Sequence, residues 1–201
     1  MGDADVILAS ASPRRLHLLQ QIGIRALVRP AEIDETLRTE EPPETFVCRL
    51  ATEKAMKVFR ESKTEKFPVL AADTIVVLQG QIFGKPESLQ HSREMLTQLS
   101  AQTHRVLTAV TLVGDFEQTI LSESQVTMRA IVSEEIDAYW ATGEPRDKAG
   151  AYGIQGLGAL FVQNITGSYS GVMGLPLYET AQLLAKEQIH CLLRSKRNCG
   201  Q

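Results

Sequence analysis

Membrane-length hydrophobic runs, paired cysteines and a marked excess of either charge are all missing from this 201-residue chain. The apolar stretch near its start, Val6-Ile7-Leu8-Ala9, is too short for a signal-peptide core or a membrane span. The residues before it include Asp3 and Asp5 and no basic cluster, so the expectation is a cytoplasmic protein with no membrane partner. Only three cysteines occur, Cys48, Cys191 and Cys199, and no C-x-x-C spacing, which argues against a disulfide framework or a zinc site. Four histidines, His17, His91, His104 and His190, stand apart without metal-ligand spacing and read as surface or packing residues. Basic and acidic residues number 21 and 24, a formal charge of −3. That balance, with no basic patch interleaved with aromatics, excludes a nucleic-acid binder held by bulk charge. An anionic ligand remains open if basic side chains are gathered locally.

What is present describes one compact domain with a sizeable core: 43% hydrophobic residues and a mean hydropathy of −0.09. Val6 to Ala9 reads as a strand that ends in Ser10-Ala11-Ser12-Pro13. Leu16, Leu18, Leu19 and Ile22 then recur at helical spacing, with Ser12 as N-cap, Pro13 in the first turn and Gly23 as the stop. Ala26 to Val28 reads as a second strand, and Pro42-Pro43 introduces a long helix from about Glu44 to Arg60. The most strand-like segment runs from Phe67 to Leu78 and turns at Gln79-Gly80-Gln81 into Ile82-Phe83. Ser92 to Leu99 is helical, and Arg105–Leu112 and Glu123–Val132 form paired strands. Ser133-Glu134-Glu135 opens a helix reaching Trp140. A segment from Gly143 to Gly158 with five glycines precedes a strand over Ala159 to Val162, and Leu177 to Gln188 is the last helix. This irregular alternation predicts an α/β fold with a mixed sheet. The expected organisation is one domain over residues 1–190 with two lobes, followed by a short basic tail over 191–201.

Three segments carry chemistry. In Ser10-Ala11-Ser12-Pro13-Arg14-Arg15, a strand runs into a helix N-terminus whose N–H groups and dipole suit an anion, and two arginines add forked donors. The same residues also fit an ordinary cap beside a solvated arginine face. In Ala71-Ala72-Asp73-Thr74, an acid interrupts a run that otherwise reads as buried, which is costly without a partner. A carboxylate there suits metal binding or general-base work, and a buried hydrogen-bond network is the alternative. A return through Phe83-Gly84-Lys85-Pro86 could bring Lys85 beside it. Asp147-Lys148-Ala149-Gly150-Ala151-Tyr152-Gly153-Ile154-Gln155-Gly156 allows close backbone approach to a ligand, and Gln155 offers a donor and an acceptor to a base edge. A flexible surface loop explains that segment equally well. Glu35 and Lys54 alone read as surface charges. Together the residues indicate a phosphate-containing ligand with a divalent cation.

Taken in order, these segments resemble the Maf family of nucleotide pyrophosphatases. The matching motifs are Leu8 to Arg15, Ala51-Thr52-Glu53-Lys54-Ala55, Ala72-Asp73-Thr74-Ile75-Val76, Gly84-Lys85-Pro86, Asp147 to Gly156, and Gly174-Leu175-Pro176. The resemblance implies a mixed, curved α/β sheet with flanking helices and two lobes around a central cleft, similar to the inosine triphosphatase class. It implies hydrolysis of a nucleoside triphosphate to the monophosphate and pyrophosphate, helped by a divalent cation such as Mg, Mn or Co. Asp73 would be the proton acceptor, with Glu35, Lys54 and Lys85 in the catalytic set. Ser10, Arg14, Arg15, Thr74 and Gln155 would bind substrate, and Asp73 and Glu35 would hold the metal. Arg15, Thr74 and Gln155 resemble the branch acting on dTTP, UTP and modified uridine nucleotides such as 5-methyl-UTP and pseudo-UTP. The family resemblance further implies a homodimer and a role in nucleotide-pool house-cleaning and cell-division arrest. The alternative is a non-catalytic nucleotide-binding regulator of septum formation.

Overall fold

The computed structural model describes residues 4–62 and 66–191, so the basic tail lies almost wholly outside the described residues. Among the described residues seven strands form one mixed sheet, in the order β2 (Ala26–Val28), β1 (Val6–Leu8), β3 (Val69–Leu78), β5 (Thr103–Val113), β6 (Glu117–Met128) and β7 (Val162–Thr166), with β4 (Gln81–Phe83) paired to β3. The chain divides into two compact units: Met1–Asp73, Thr108–Ser122 and Gly174–Gln201 make the first, and Thr74–Leu107 and Glu123–Met173 the second. Three long strands, β3 (Val69–Leu78), β5 (Thr103–Val113) and β6 (Glu117–Met128), each supply residues to both units.

In the first unit, β1 (Val6–Leu8) is fully buried and runs parallel to β2 (Ala26–Val28) on one side and β3 on the other. Parallel strands covered on both faces need unbroken apolar runs, which is why Val6 to Ala9 does not alternate. The helix α1 (Pro13–Gln21) makes the crossover from β1 to β2 and ends as Gly23 turns left-handed at φ +76°. The helix α2 (Pro43–Glu61) buries Phe46, Val47, Leu50, Ala51, Ala55 and Val58. Ala55 and Val58 join Ile7, Ala9, Val69, Ala71 and Val113 in one core cluster. A last helix, here α6 (Leu177–Lys186), completes the unit.

In the second unit, β4 (Gln81–Phe83) pairs antiparallel with β3. The two-residue turn has both Gln79 and Gly80 at positive φ, the conformation that matches strand twist in tight hairpins. The helix α3 (Leu89–Leu99) is capped by the Ser88 hydroxyl, which accepts from the His91 N–H at 3.1 Å. The helix α4 (Ser133–Ala141) follows β6, and β7 (Val162–Thr166) pairs antiparallel with it before the short α5 (Tyr169–Met173). Val76, Phe83, Leu96, Leu99, Val126, Met128, Tyr139 and Phe161 form the centre of this unit's core.

Several boundaries differ from expectation. The strand β6 begins six residues earlier than Glu123 and stops at Met128, because Arg129 to Val132 turn into the start of α4. The Glu135 carboxylate accepts the Val132 N–H at 3.2 Å, so Val132, not Ser133, stands at the cap position. Leu157–Phe161, read in part as a strand, is a 3-10 turn, and β7 starts only at Val162. Gly158 explains the shift: a Cβ there would lie 2.6 Å from both the Gly153 carbonyl and the Tyr139 hydroxyl. The segment is packed too closely for a pleated strand.

Candidate active site

Ser10 follows β1 and is buried at 7% exposure. Its hydroxyl accepts from the Ser12 N–H and from Arg15 Nη1, each at 3.2 Å. Ser12 occupies the α1 cap position in extended conformation, yet its side chain makes no cap bond. The N-terminus of α1, with its dipole and its two arginines, thus lies directly after the buried Ser10. Arg15 is half-buried and donates through Nε to the Gly174 carbonyl at 2.9 Å. Desolvation pulls its pKa below the ordinary arginine value, Arg14 adds to this, and Asp73 and Glu35 oppose it. Arg15 thus lies in the electrostatic field of both carboxylates.

Asp73 and Lys54 are the polar centre of the first unit. Asp73, 8% exposed, ends that unit's part of β3; Lys54, equally exposed, lies on the buried stripe of α2 between Leu50 and Val58. Lys54 Nζ donates to Asp73 Oδ1 at 2.6 Å and reaches Glu35 Oε1 at 2.7 Å. A buried ammonium survives only where its charge is matched, and here two carboxylates match it. The surface reading of Lys54 is therefore wrong. The missed signal lay in the periodicity: residue 54 falls where α2 calls for an apolar side chain.

The remaining expected residues belong to the second unit. Thr74 is half-buried on β3, and Lys85 is exposed two residues past β4. Gly150 donates its N–H to the Gly84 carbonyl at 3.0 Å, which ties the Gly84-Lys85-Pro86 motif to the Asp147–Gly156 motif. Gln155 is exposed near the C-terminal end of the latter. Lys148 does not point outward as a free cation: Nζ donates to the Glu144 carbonyl at 2.9 Å and to Asp147 Oδ1 at 2.6 Å. The structure thus gathers Ser10, Arg14, Arg15, Glu35, Lys54 and Asp73 in one unit and places Thr74, Lys85 and Gln155 in the other.

A family model described as Maf-like protein matches residues 5–187. The chain belongs to the Maf family. A dTTP/UTP pyrophosphatase of Alkalilimnicola ehrlichii is 52% identical over 188 residues, covering 92% of this chain and 93% of that protein. Its counterpart in Methylococcus capsulatus, also a dTTP/UTP pyrophosphatase, is 54% identical and covers 90% of each chain. Among solved structures, a nucleoside-triphosphatase (dITP/XTP pyrophosphatase) of Mycobacterium abscessus aligns with a TM-score of 0.41 at 14% identity, over 69% of this chain and 94% of that one.

The Maf motifs account for most polar residues of the site but not for those that brace it. Tyr139 and Glu144 hold the Gln155 segment, His104 anchors the neighbouring Tyr152, and none of the three gives a signal in sequence. A Glu before Pro, and a Tyr and a His in amphipathic elements, resemble ordinary surface and core residues. Among the described residues, no cluster of three or more His, Cys, Asp or Glu could enclose a metal ion. Glu35 and Asp73 are two carboxylates brought together across Lys54 Nζ, and a magnesium-type ion needs as few as one or two protein carboxylates, completing its shell with phosphate oxygens and water.

Proposed function

We propose that this Maf protein is a nucleoside triphosphate pyrophosphatase that hydrolyses dTTP and UTP to the monophosphate and pyrophosphate. The observation that carries this reading is the buried Lys54–Asp73 pair, joined from the surface by the exposed Glu35 carboxylate, in the same electrostatic field as Arg15 near the start of α1. The curated relatives of similar length bear that activity in their names.

In this reading Asp73 takes the proton from the water that attacks the α-phosphorus. Lys54 fixes the direction of its carboxylate, because a 2.6 Å charge-assisted bond leaves Oδ2 as the oxygen open to the water. Arg15, held by the Ser10 hydroxyl and the Gly174 carbonyl, presents a pre-oriented guanidinium to phosphoryl oxygens as charge builds on them. Arg14, Ser10 and the α1 N-terminus bind the phosphates with it, and Lys85 neutralises the polyphosphate. Gln155, with Thr74, selects the pyrimidine. Glu35 and Asp73 would hold a divalent ion that, when bound, offsets phosphate charge and lowers the pKa of coordinated water. The half-buried Cys48 thiol suits a reducing cytoplasm, and no helix of the described residues is long and apolar enough to cross a membrane. A homodimer is part of the same reading.

Pyrophosphate release is measured over dTTP, UTP, 5-methyl-UTP, pseudo-UTP, ATP and GTP, with and without Mg²⁺ or Mn²⁺. Metal-dependent release favouring the pyrimidines is expected. Stoichiometric nucleotide binding with no product would replace the enzyme by a regulator.

A further inference from the structure

We propose that Glu144 and Tyr139 are positioning residues that hold the Gln155 segment in the shape that reads the base, and so set substrate selectivity. The proposal rests on the pyrimidine-nucleotide reading above and names the parts of the chain on which its selectivity depends.

The segment from Gly153 to Gly158 has Gln155 exposed near its middle and is fastened at both ends by one side-chain pair. Glu144 Oε2 accepts the Leu157 N–H at 2.8 Å, and Oε1 accepts the Gly158 N–H at 3.1 Å. Glu144 Oε1 also accepts the Tyr139 hydroxyl at 2.8 Å, and that hydroxyl in turn accepts the Gly153 N–H at 3.0 Å. Two side chains thus satisfy three backbone donors that flank Gln155 on either side.

The glycines of the segment are matched to this clamp. A Cβ on Gly156 would collide with the Glu144 carboxylate, and one on Gly153 would meet Lys148 Cε at 2.9 Å and Glu144 Oε1 at 3.2 Å. Tyr139 is itself fixed, 4% exposed and edge-on to Phe161 with ring centroids 5.1 Å apart. The neighbouring Tyr152 is anchored separately through its hydroxyl to His104 Nε2 at 2.7 Å.

The electrostatics keep both members in the forms the clamp needs. Partial burial would raise the Glu144 carboxyl, but the Gly158 N–H, the Tyr139 hydroxyl, the Leu157 N–H and Lys148 together hold it below its ordinary value. Burial, followed by the hydrogen bond to Glu144, raises the Tyr139 phenol, which therefore stays protonated. An ionised acceptor and a neutral donor result.

An exposed amide discriminates between base edges only if its backbone does not follow the ligand. Displacements on the order of 1 Å suffice to lose such discrimination. Fastening Gly153, Leu157 and Gly158 leaves Gln155 free to meet a base while its anchor points stay in place. Neither Glu144 nor Tyr139 is given any contact with substrate; both act through Gln155.

The test compares kcat/KM for UTP and dTTP with that for ATP and GTP in the full-length chain. The variants are Gln155→Ala, Glu144→Ala, Glu144→Gln, Tyr139→Phe and the Glu144→Ala/Gln155→Ala double. Gln155→Ala is expected to lower the pyrimidine-to-purine ratio about tenfold or more. Glu144→Ala should lower it by a comparable factor, the double variant should fall no further, and Glu144→Gln should recover part of the ratio. Tyr139→Phe keeps the ring packing and loses only the hydroxyl, so a ratio lowered roughly two- to fivefold with near-normal thermal stability excludes general unfolding as the cause. Equal losses on all four nucleotides in the Glu144 and Tyr139 variants, with Gln155→Ala still collapsing the ratio, would overturn the clamp and leave the function standing. An unchanged ratio in Gln155→Ala would overturn base reading by that residue and the clamp with it. A wild-type enzyme without pyrimidine preference would overturn the proposed substrate itself.

Discussion

At residue scale, the arrangement turns on a lysine where a helix would ordinarily put a leucine. Asp73 was legible in sequence because a carboxylate inside an apolar run stands out, and Ser10, Arg14 and Arg15 because a strand, a small polar turn and a proline mark a helix start. The partnership of Lys54 with Asp73 was not legible. Nineteen residues and two different elements separate them, and only the packing of α2 on β3 makes them neighbours. That partnership predicts the behaviour of Asp73→Asn. The amide keeps the shape and can still accept from Lys54, while Glu35 continues to match the buried ammonium. Folding should therefore survive, with a loss of about 1–3 kcal/mol. An amide cannot take a proton from water, so single-turnover hydrolysis of dTTP should slow by roughly 10²–10⁴. Calorimetric affinity for dTTP should change only a few-fold if Asp73 acts mainly in the transition state. A variant that turns over at close to the wild-type rate would remove Asp73 from the role of base.

At the scale of elements, regular strands and helices followed from periodicity, and the errors collected where backbone conformation rather than periodicity decides. Leu157-Gly158-Ala159-Leu160-Phe161 is apolar enough to read as a strand but is wound into a 3-10 turn by the contacts of Gly158 and Glu144. The short α5 carries no periodic signal, because its Tyr-Ser-Gly-Val-Met sequence has no apolar stripe. Within the Asp147–Gly156 motif, Gly150 adopts φ +69°, and a Cβ there would sit 3.0 Å from Val76 Cγ2. Gly150→Ala should thus cost left-handed strain of roughly 1–2 kcal/mol plus a packing clash. Gly143 has φ +78°, and a Cβ added there would meet nothing within 4 Å, so Gly143→Ala should carry the strain alone. For a chain of this size each kcal/mol lowers Tm by about 2–4 °C. Thermal melts should show the larger drop for Gly150→Ala; equal drops would mean that Val76 gives way and close packing there contributes little.

For the whole molecule, the formal charge of −3 hides strongly paired ionic groups whose titration shapes stability. Hydrogen bonds from Arg49 hold the Glu41 carboxyl down at about 2, and those from Arg129 do the same for Glu135. Both groups have folded pKa values below their unfolded ones, so their contribution is present above about pH 4.5 and fades as the pH falls toward 2. His104 acts earlier. It is 1% exposed in the second unit's core, bonded through Nε2 to the Tyr152 hydroxyl, with Nδ1 unpartnered among the described residues. Burial pushes it from 6.5 down to about 4. The unfolded chain takes up a proton at this histidine below about pH 6.5 and the folded chain only near pH 4, so acid favours unfolding across that window. At ~1.4 kcal/mol for each pH unit between the two values, the full loss is about 3 kcal/mol. Urea unfolding at pH 7.5, 6.5, 5.5 and 4.5 should therefore show a decline that begins more than a unit above the carboxylate range. His104→Gln keeps a polar partner for Tyr152 and cannot titrate, so it should be less stable at pH 7.5 yet lose little more by pH 5. A variant whose stability falls as steeply as the wild type between pH 6.5 and 5 would show that the early acid loss arises elsewhere.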